Sequence, residues 1–169
     1  MTPNILQEFD TSTTAFIELL SSFDQQQINA VPYENSWTAA QVGEHVFKSD
    51  NFILGSLSGP EKPTKRKPDE GVAGIRAQFL DFTTKLHSPE VIIPTQGTHD
   101  KEALISALKA TREQIARIIK TTDLTATCSN PIFGEPTRLE LLTFINVHTQ
   151  RHTHQLQKIA GRVLHKEHS

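Results

Sequence analysis

Residues 137–161 read TRLELLTFINVHTQRHTHQLQKIAG. Within them Leu141, Ile145, His148, His152, Gln155 and Ile159 recur at spacings of 4, 3, 4, 3 and 4, the period of one helix face. Thr137 with Glu140 three residues on is a capping-box pair, which satisfies two orphan amides reciprocally, and Gly161 is a natural C-terminal stop. The stretch is therefore a long amphipathic helix. Two of its inward positions are histidine where a bundle expects leucine or isoleucine.

Three other segments carry the same period. Leu6, Phe9, Thr13, Phe16, Leu20 and Phe23 form one stripe, with Thr2 and Pro3 as cap and first position. Thr38 and Gln41 make a second capping box, opening a helix whose seam is Thr38, Val42, His45, Ser49, Phe52 and Ser56, widened by Val46 and Ile53 and ended by Gly59-Pro60. Asp100 caps a helix with Leu104, Leu108, Thr111, Ile115 and Ile118 inward, running to about Lys120. Between the second and third of these, Val72 to Leu86 predicts a shorter helix with Ile75, Phe79, Phe82 and Leu86 on one side, followed by an extended VIIP connection. TCSNPIFGEP is rich in turn formers and reads as a structured loop. With no strand alternation and no repeat, the expected fold is all-α: a four-helix bundle with a crossover between its second and third long helices and one shorter extra helix.

At 169 residues the chain reads as one domain, 1–169, with 162–169 a flexible tail. A net charge of −2 gives no general attraction to a phosphate backbone, so nucleic acid is not an expected partner. The one basic run, EKPTKRKP, is broken by prolines and reads as a solvated loop. No stretch approaches a membrane span and the first residues lack the features of a secretion signal, so the expectation is a cytoplasmic chain without a membrane partner. Cys128 is the only cysteine, which excludes an internal disulfide.

The chemistry is concentrated in the histidines. His148 and His152, four apart, lie one above the other on the helix and can offer nitrogens to a single point in the core. Burying neutral imidazole without partners costs on the order of 1–3 kcal/mol per group, so the pair calls for a metal ion or a buried hydrogen-bond network. His45 occupies a seam position on a second helix and is a third donor; its alternative is a core histidine bonded to a backbone carbonyl. Three neutral imidazoles with an open fourth position match a catalytic zinc site of the three-histidine kind, and imidazole equally suits nickel, iron(II) or copper. His154, roughly 200° around the helix from His152, is expected to face away at the surface. His87 and His99 flank the extended connection and read as surface residues, and His165 and His168 fall in the charged tail.

Three stretches, SWTAAQVGEHV (36–46), NPIFGEPTRLELL (130–142) and HTQRHTHQ (148–155), the last fitting H-x-x-R-H-x-x-Q, together resemble the DinB/YfiT-like metalloenzyme superfamily along nearly the whole chain. The resemblance implies an antiparallel-type bundle, frequently a homodimer, with a divalent metal held by His45, His148 and His152. Zinc or nickel leads, with iron or manganese after them. Characterised relatives in that family use low-molecular-weight thiols such as bacillithiol or mycothiol, so the expected partners are a small thiol and an electrophile.

Three functions follow as expectations. The first is transfer of a metal-activated thiol to an electrophilic substrate, which needs no cysteine from the chain; Cys128 has no base at a motif spacing. The second is hydrolysis by metal-bound water, which needs a general base. Glu44 is a doubtful one, being about 100° around the helix from His45, and Ser49 and Thr149 are poor bases. The third is a non-catalytic metal-binding or stress-response module. Arg151 reads as a surface or inter-helix ion pair, Gln155 as a polar residue near the site or satisfied by backbone, and Trp37 as packing against the bundle end.

Overall fold

The computed structural model describes residues 3–83 and 88–164. Six α-helices are found among them: α1 (Pro3–Ser21), α2 (Gln25–Ile28), α3 (Ala39–Leu57), α4 (Val72–Leu80), α5 (Lys101–Thr121) and α6 (Arg138–Val163). A single 3₁₀ turn covers Glu90–Ile92. Extended pairing among the described residues is limited to isolated antiparallel bridges, Lys62 with Thr127, Thr127 with Thr137 and Asn130 with Gly134. They fold the TCSNPIFGEP stretch against the start of the crossover. None of the described helices is long and apolar enough to cross a membrane.

The capping chemistry works as read. Thr38 accepts from the Gln41 amide while the Gln41 side chain accepts from Thr38 N–H, and Thr137 and Glu140 repeat the arrangement. Asp100 accepts from Ala103 N–H. Two helices stop away from the residue that the pattern marks, and one connection differs. The helix expected over 72–86 ends at Leu80, because the Asp81 carboxylate accepts from Thr83 N–H (3.1 Å) and hydroxyl (2.5 Å) and turns the chain. Leu86 and His87 lie outside the described residues, as do Thr2, His165 and His168. The last helix runs through Gly161 to Val163; Gly161 keeps a helical φ, and Val163 and Leu164 pack on the core. VIIP is a 3₁₀ turn with only its second half extended. The short α2, with its Asp24–Gln27 capping box, carries no stripe that a period could reveal.

The long helices are not a simple antiparallel set. Asp50 meets Arg112, and an alanine methyl at Gly43 would sit 3.0 Å from Leu104, so α3 and α5 run parallel and close. At one end of the bundle Asn146 donates to Glu8, and at the other Leu156 and Ile159 pack with Phe16 and Leu20, so α1 and α6 are parallel too. Arg138 Nε donates to the Leu57 carbonyl at the opposite end of α3, which makes α3 and α6 antiparallel. The crossover is what permits this: 43 residues between α3 and α5 carry the chain back to the starting end.

Two apolar layers fill the interior. One holds Phe16, Leu20, Phe23, Ile28, Val42, Val46, Leu108, Leu156 and Ile159, the other Ile5, Phe9, Ile53, Leu57, Ile115, Leu141, Leu142 and Ile145. Between them each long helix contributes buried polar side chains at mid-length: Ser12, then His45, Ser49 and Asp50, then Thr111 and Arg112, then His148, Thr149 and His152. The bundle therefore has a polar middle layer, and it is the layer in which the histidines sit.

The crossover is pinned by Glu140. Its carboxylate accepts from both Arg66 Nη atoms (2.7 and 2.6 Å), from Gly71 N–H (2.5 Å) and from Thr137 N–H (2.9 Å). The basic run is thus solvated at Lys65 and Lys67 but fixed at Arg66, while Lys62 pairs with Glu135. Burial pushes the Glu140 carboxyl up, but the Arg66 and backbone donors outweigh it and hold it below its ordinary value of 4.5. A lowered folded value means stability that is present above about pH 4.5 and lost as pH falls through the lowered folded value. Glu140→Gln is therefore expected to cost about 2 kcal/mol at pH 7 and to flatten the acid limb of a pH–stability profile from urea titrations. An unchanged acid limb would show that other carboxylates govern it.

Candidate metal centre

His45 from α3 and His148 and His152 from α6 are brought together. Their ligand-capable nitrogens all lie within 4.8 Å of one another. His148 Nε2 is 3.0 Å from His45 Nε2 and 3.2 Å from His152 Nε2. A tetrahedral ion at about 2.0–2.1 Å from each nitrogen would separate them by about 3.3 Å, so the spacing fits such an ion with little adjustment. The three residues are buried, 1%, 5% and 9% exposed.

The outer nitrogens decide the tautomers. His45 Nδ1 lies 2.8 Å from the Ile92 carbonyl, which can only accept, so Nδ1 carries the proton and Nε2 is bare. His152 Nδ1 lies 2.8 Å from Gln155 Oε1, with the same consequence. His148 Nε2 then has at most one proton to share between two bare nitrogens. At least one lone pair points at another without a hydrogen between them, an arrangement that a cation at the centre resolves. Burial holds all three rings below the ordinary imidazole value, His152 down to about 3 and His148 well below, with mutual repulsion among the three adding to it for His148 and His152. Neutral imidazole is the ligand form.

The Nε2 atoms open onto a cavity of about 860 Å³, a size suited to a small-molecule ligand. Its walls carry six aromatic side chains, Trp37, Phe52, Phe79, Phe82, Phe133 and Phe144, with Arg151, His154 and Lys158 among the polar lining residues. Among the described lining residues there is no Asp or Glu. Trp37 both packs on the core and faces His45, ring centroids 5.1 Å apart, and His148 stacks on Phe144 at 4.9 Å.

The remaining singled-out residues find their places. Arg151 donates to the carbonyls of Phe79 (3.4 Å) and Asp81 (2.8 Å), closing the end of α4 over the cavity. Gln155 fixes the His152 tautomer. His154 is half-buried rather than exposed, stacked on Phe82 with centroids 4.5 Å apart, because the turn after α4 covers that flank of α6. His99 stays out of the cluster, as expected, but its side chain is only 11% exposed, with Nε2 3.1 Å from Glu44. Glu44 is engaged there, and Thr149 with Arg112, and neither lines the cavity; Ser49 does. Cys128 is buried, which pushes its thiol up and away from nucleophilic use. Sequence reasoning missed the Ile92 carbonyl, which no periodicity marks, and the aromatic wall supplied by α4 and the 130–134 turn.

The comparisons agree with this architecture. A protein from Bacillus subtilis (strain 168), YuaE, itself uncharacterized, is 24% identical over 152 residues, covering 85% of this chain and 90% of that protein. TT2238, described as a four-helix bundle protein, superposes with a TM-score of 0.59 at 21% identity, covering 93% of this chain and 98% of that one. YfiT from Bacillus subtilis, described as a probable metal-dependent hydrolase with an unusual four-helix bundle topology, gives 0.60 at 16% identity, covering 95% and 86%. The profile of the DinB superfamily matches residues 8–156, and the chain belongs to that superfamily.

Proposed function

We propose that this protein is a metal-dependent enzyme that transfers a low-molecular-weight thiol to an apolar electrophile. The observation that carries the reading is the pairing of three converging imidazole nitrogens with a cavity whose described lining holds no carboxylate. A divalent cation bound there would supply Lewis acidity, making a thiol ionise near neutral pH so that no protein base has to remove its proton. The chain's own part is positional. Ile92 and Gln155 fix which nitrogens of His45 and His152 face inward, and the phenylalanine wall excludes water and holds the electrophile against the site. In the transfer the thiol proton passes to solvent, the sulfur electron pair forms the new carbon–sulfur bond, and the leaving group departs with its bonding pair.

Hydrolysis is the second reading, favoured by the description of YfiT; it requires a base, for which the described cavity wall offers no carboxylate and only His154 as an imidazole outside the cluster. The test is turnover of zinc- or nickel-loaded protein with a panel of physiological thiols and monochlorobimane, beside ester and amide substrates. Conjugation above the spontaneous rate and abolished by chelation is expected. Ester or amide cleavage with no conjugation would replace this reading with the hydrolase, and no turnover of either kind would leave a metal-binding module.

A further inference from the structure

His45 is the one cluster histidine whose outer nitrogen is held by backbone, the Ile92 carbonyl at 2.8 Å. That carbonyl belongs to the crossover, and the crossover is laced to α3 on both sides of His45. Gln41 Nε2 donates to the Thr95 carbonyl (3.2 Å) and Lys48 Nζ to the Ile93 carbonyl (2.9 Å). Glu44 accepts from Thr95 N–H and from the Thr95 hydroxyl (3.0 Å), and its Oε2 lies 3.1 Å from His99 Nε2. The far end is tied in turn, with His99 N–H donating to Asn29 Oδ1 at 2.8 Å. Gln41, Glu44, His45 and Lys48 share one side of α3, so a single helix face carries the histidine and the residues that grip its carbonyl partner.

Between Ile92 and Thr95 stand only Ile93 and Pro94, and Pro94 is buried. Proline fixes its own φ and restricts the residue before it, so this link has few soft torsions. A displacement at Thr95 is passed to Ile92 and not absorbed on the way. Resting on the three-histidine metal reading, we propose that Glu44 is a positioning residue for the metal centre: by holding Thr95 it sets the Ile92 carbonyl, and through it the tautomer and tilt of His45. It touches neither the metal position nor the cavity. Outer partners of ligand histidines typically change metal affinity by about 10–100-fold when removed, and Glu44 acts one step further out, so the low end applies.

Trp37 is the chain's only tryptophan and faces His45, so its emission reports on this ligand directly. The experiment titrates zinc into metal-free wild type, Glu44→Ala, Glu44→Gln and Thr95→Ala, following Trp37 emission in competition with a chromophoric chelator. Cobalt(II) absorption is recorded as a readout of coordination geometry, and thermal unfolding of each metal-free protein as a control. Glu44→Ala is expected to bind about tenfold more weakly with an altered cobalt band, Thr95→Ala to fall between it and wild type, and Glu44→Gln, which keeps acceptor oxygen for Thr95, to recover most of the affinity. Wild-type affinity and cobalt spectrum in folded Glu44→Ala would overturn the proposal; should that variant not fold, the same result in Thr95→Ala would do so. Absence of metal binding by wild type would remove the three-histidine reading itself and this inference with it, an outcome seen before any variant is compared.

Discussion

His148→Ala will lose metal binding by roughly 10²–10³-fold, the equivalent of about 3–4 kcal/mol for one of a small set of nitrogen ligands. His148 is the position to remove because its Nε2 is the one within 3.0–3.2 Å of both other nitrogens. The loss is readable in stability as well as in affinity. A ligand at about a hundred times its Kd stabilises the native state by about 2.7 kcal/mol, which for a chain of this size is an upward shift in Tm of roughly 5–11 °C. Wild type is expected to show that shift with zinc, and His148→Ala to show none at the same concentration. The metal-free proteins separate the two readings of the cluster. If the histidines were an ordinary buried hydrogen-bond network, removing one would cost about 1–3 kcal/mol without any metal present. With lone pairs facing one another, the variant trades that conflict for a small cavity, and the metal-free stability changes little. Full zinc affinity in His148→Ala would place the ligands elsewhere.

What the sequence made legible here is what helical period and capping encode. The histidines stand out because His148 and His152 interrupt a seam that carries Leu141, Ile145 and Ile159, and His45 takes a seam position between Val42 and Phe52 on a helix whose start Trp37 and the capping box mark. What period cannot show is how the seams face one another. Asp50 and Arg112 each sit beside a polar seam residue, Ser49 and Thr111, and either alone reads as a charge at the edge of a solvated face; only the parallel pairing of α3 and α5 turns them into a buried pair. The Ile92 carbonyl and the cavity wall come from the crossover and the turn at 130–134, where backbone geometry and loop docking decide and side-chain pattern is weak. His154 and His99 are half-buried rather than at the surface for the same reason: Phe82 from the turn after α4 covers His154, and His99, within the crossover, docks on Asn29 and Glu44, along a path that no local signal fixes.

The other large effect lies in the same polar layer. Arg112→Ala is expected to destabilise the protein by about 3–5 kcal/mol, a fall in Tm of roughly 6–20 °C, because it leaves a carboxylate in the core without its cation. Arg112 donates to Asp50 from Nε (2.9 Å) and Nη2 (3.1 Å), to the Thr149 hydroxyl (2.7 Å) and to the Thr13 hydroxyl (3.0 Å), and its guanidinium lies over the Phe9 ring. Burial pushes the Asp50 carboxyl up while Arg112 pulls it back toward the ionised form, so removing the arginine leaves burial unopposed. The pair's net worth is a separate matter from the cost of breaking it. Two desolvated ions of matching geometry roughly cancel their own desolvation, and an apolar pair of similar volume often does as well or better. Asp50→Leu with Arg112→Met is therefore expected to recover most of the stability lost in either single variant, giving a strongly non-additive double-mutant cycle in urea unfolding. Additive losses would mean that the ion pair is not what holds this layer, and that Thr13, Thr149 and the Phe9 ring carry the arginine's contribution instead.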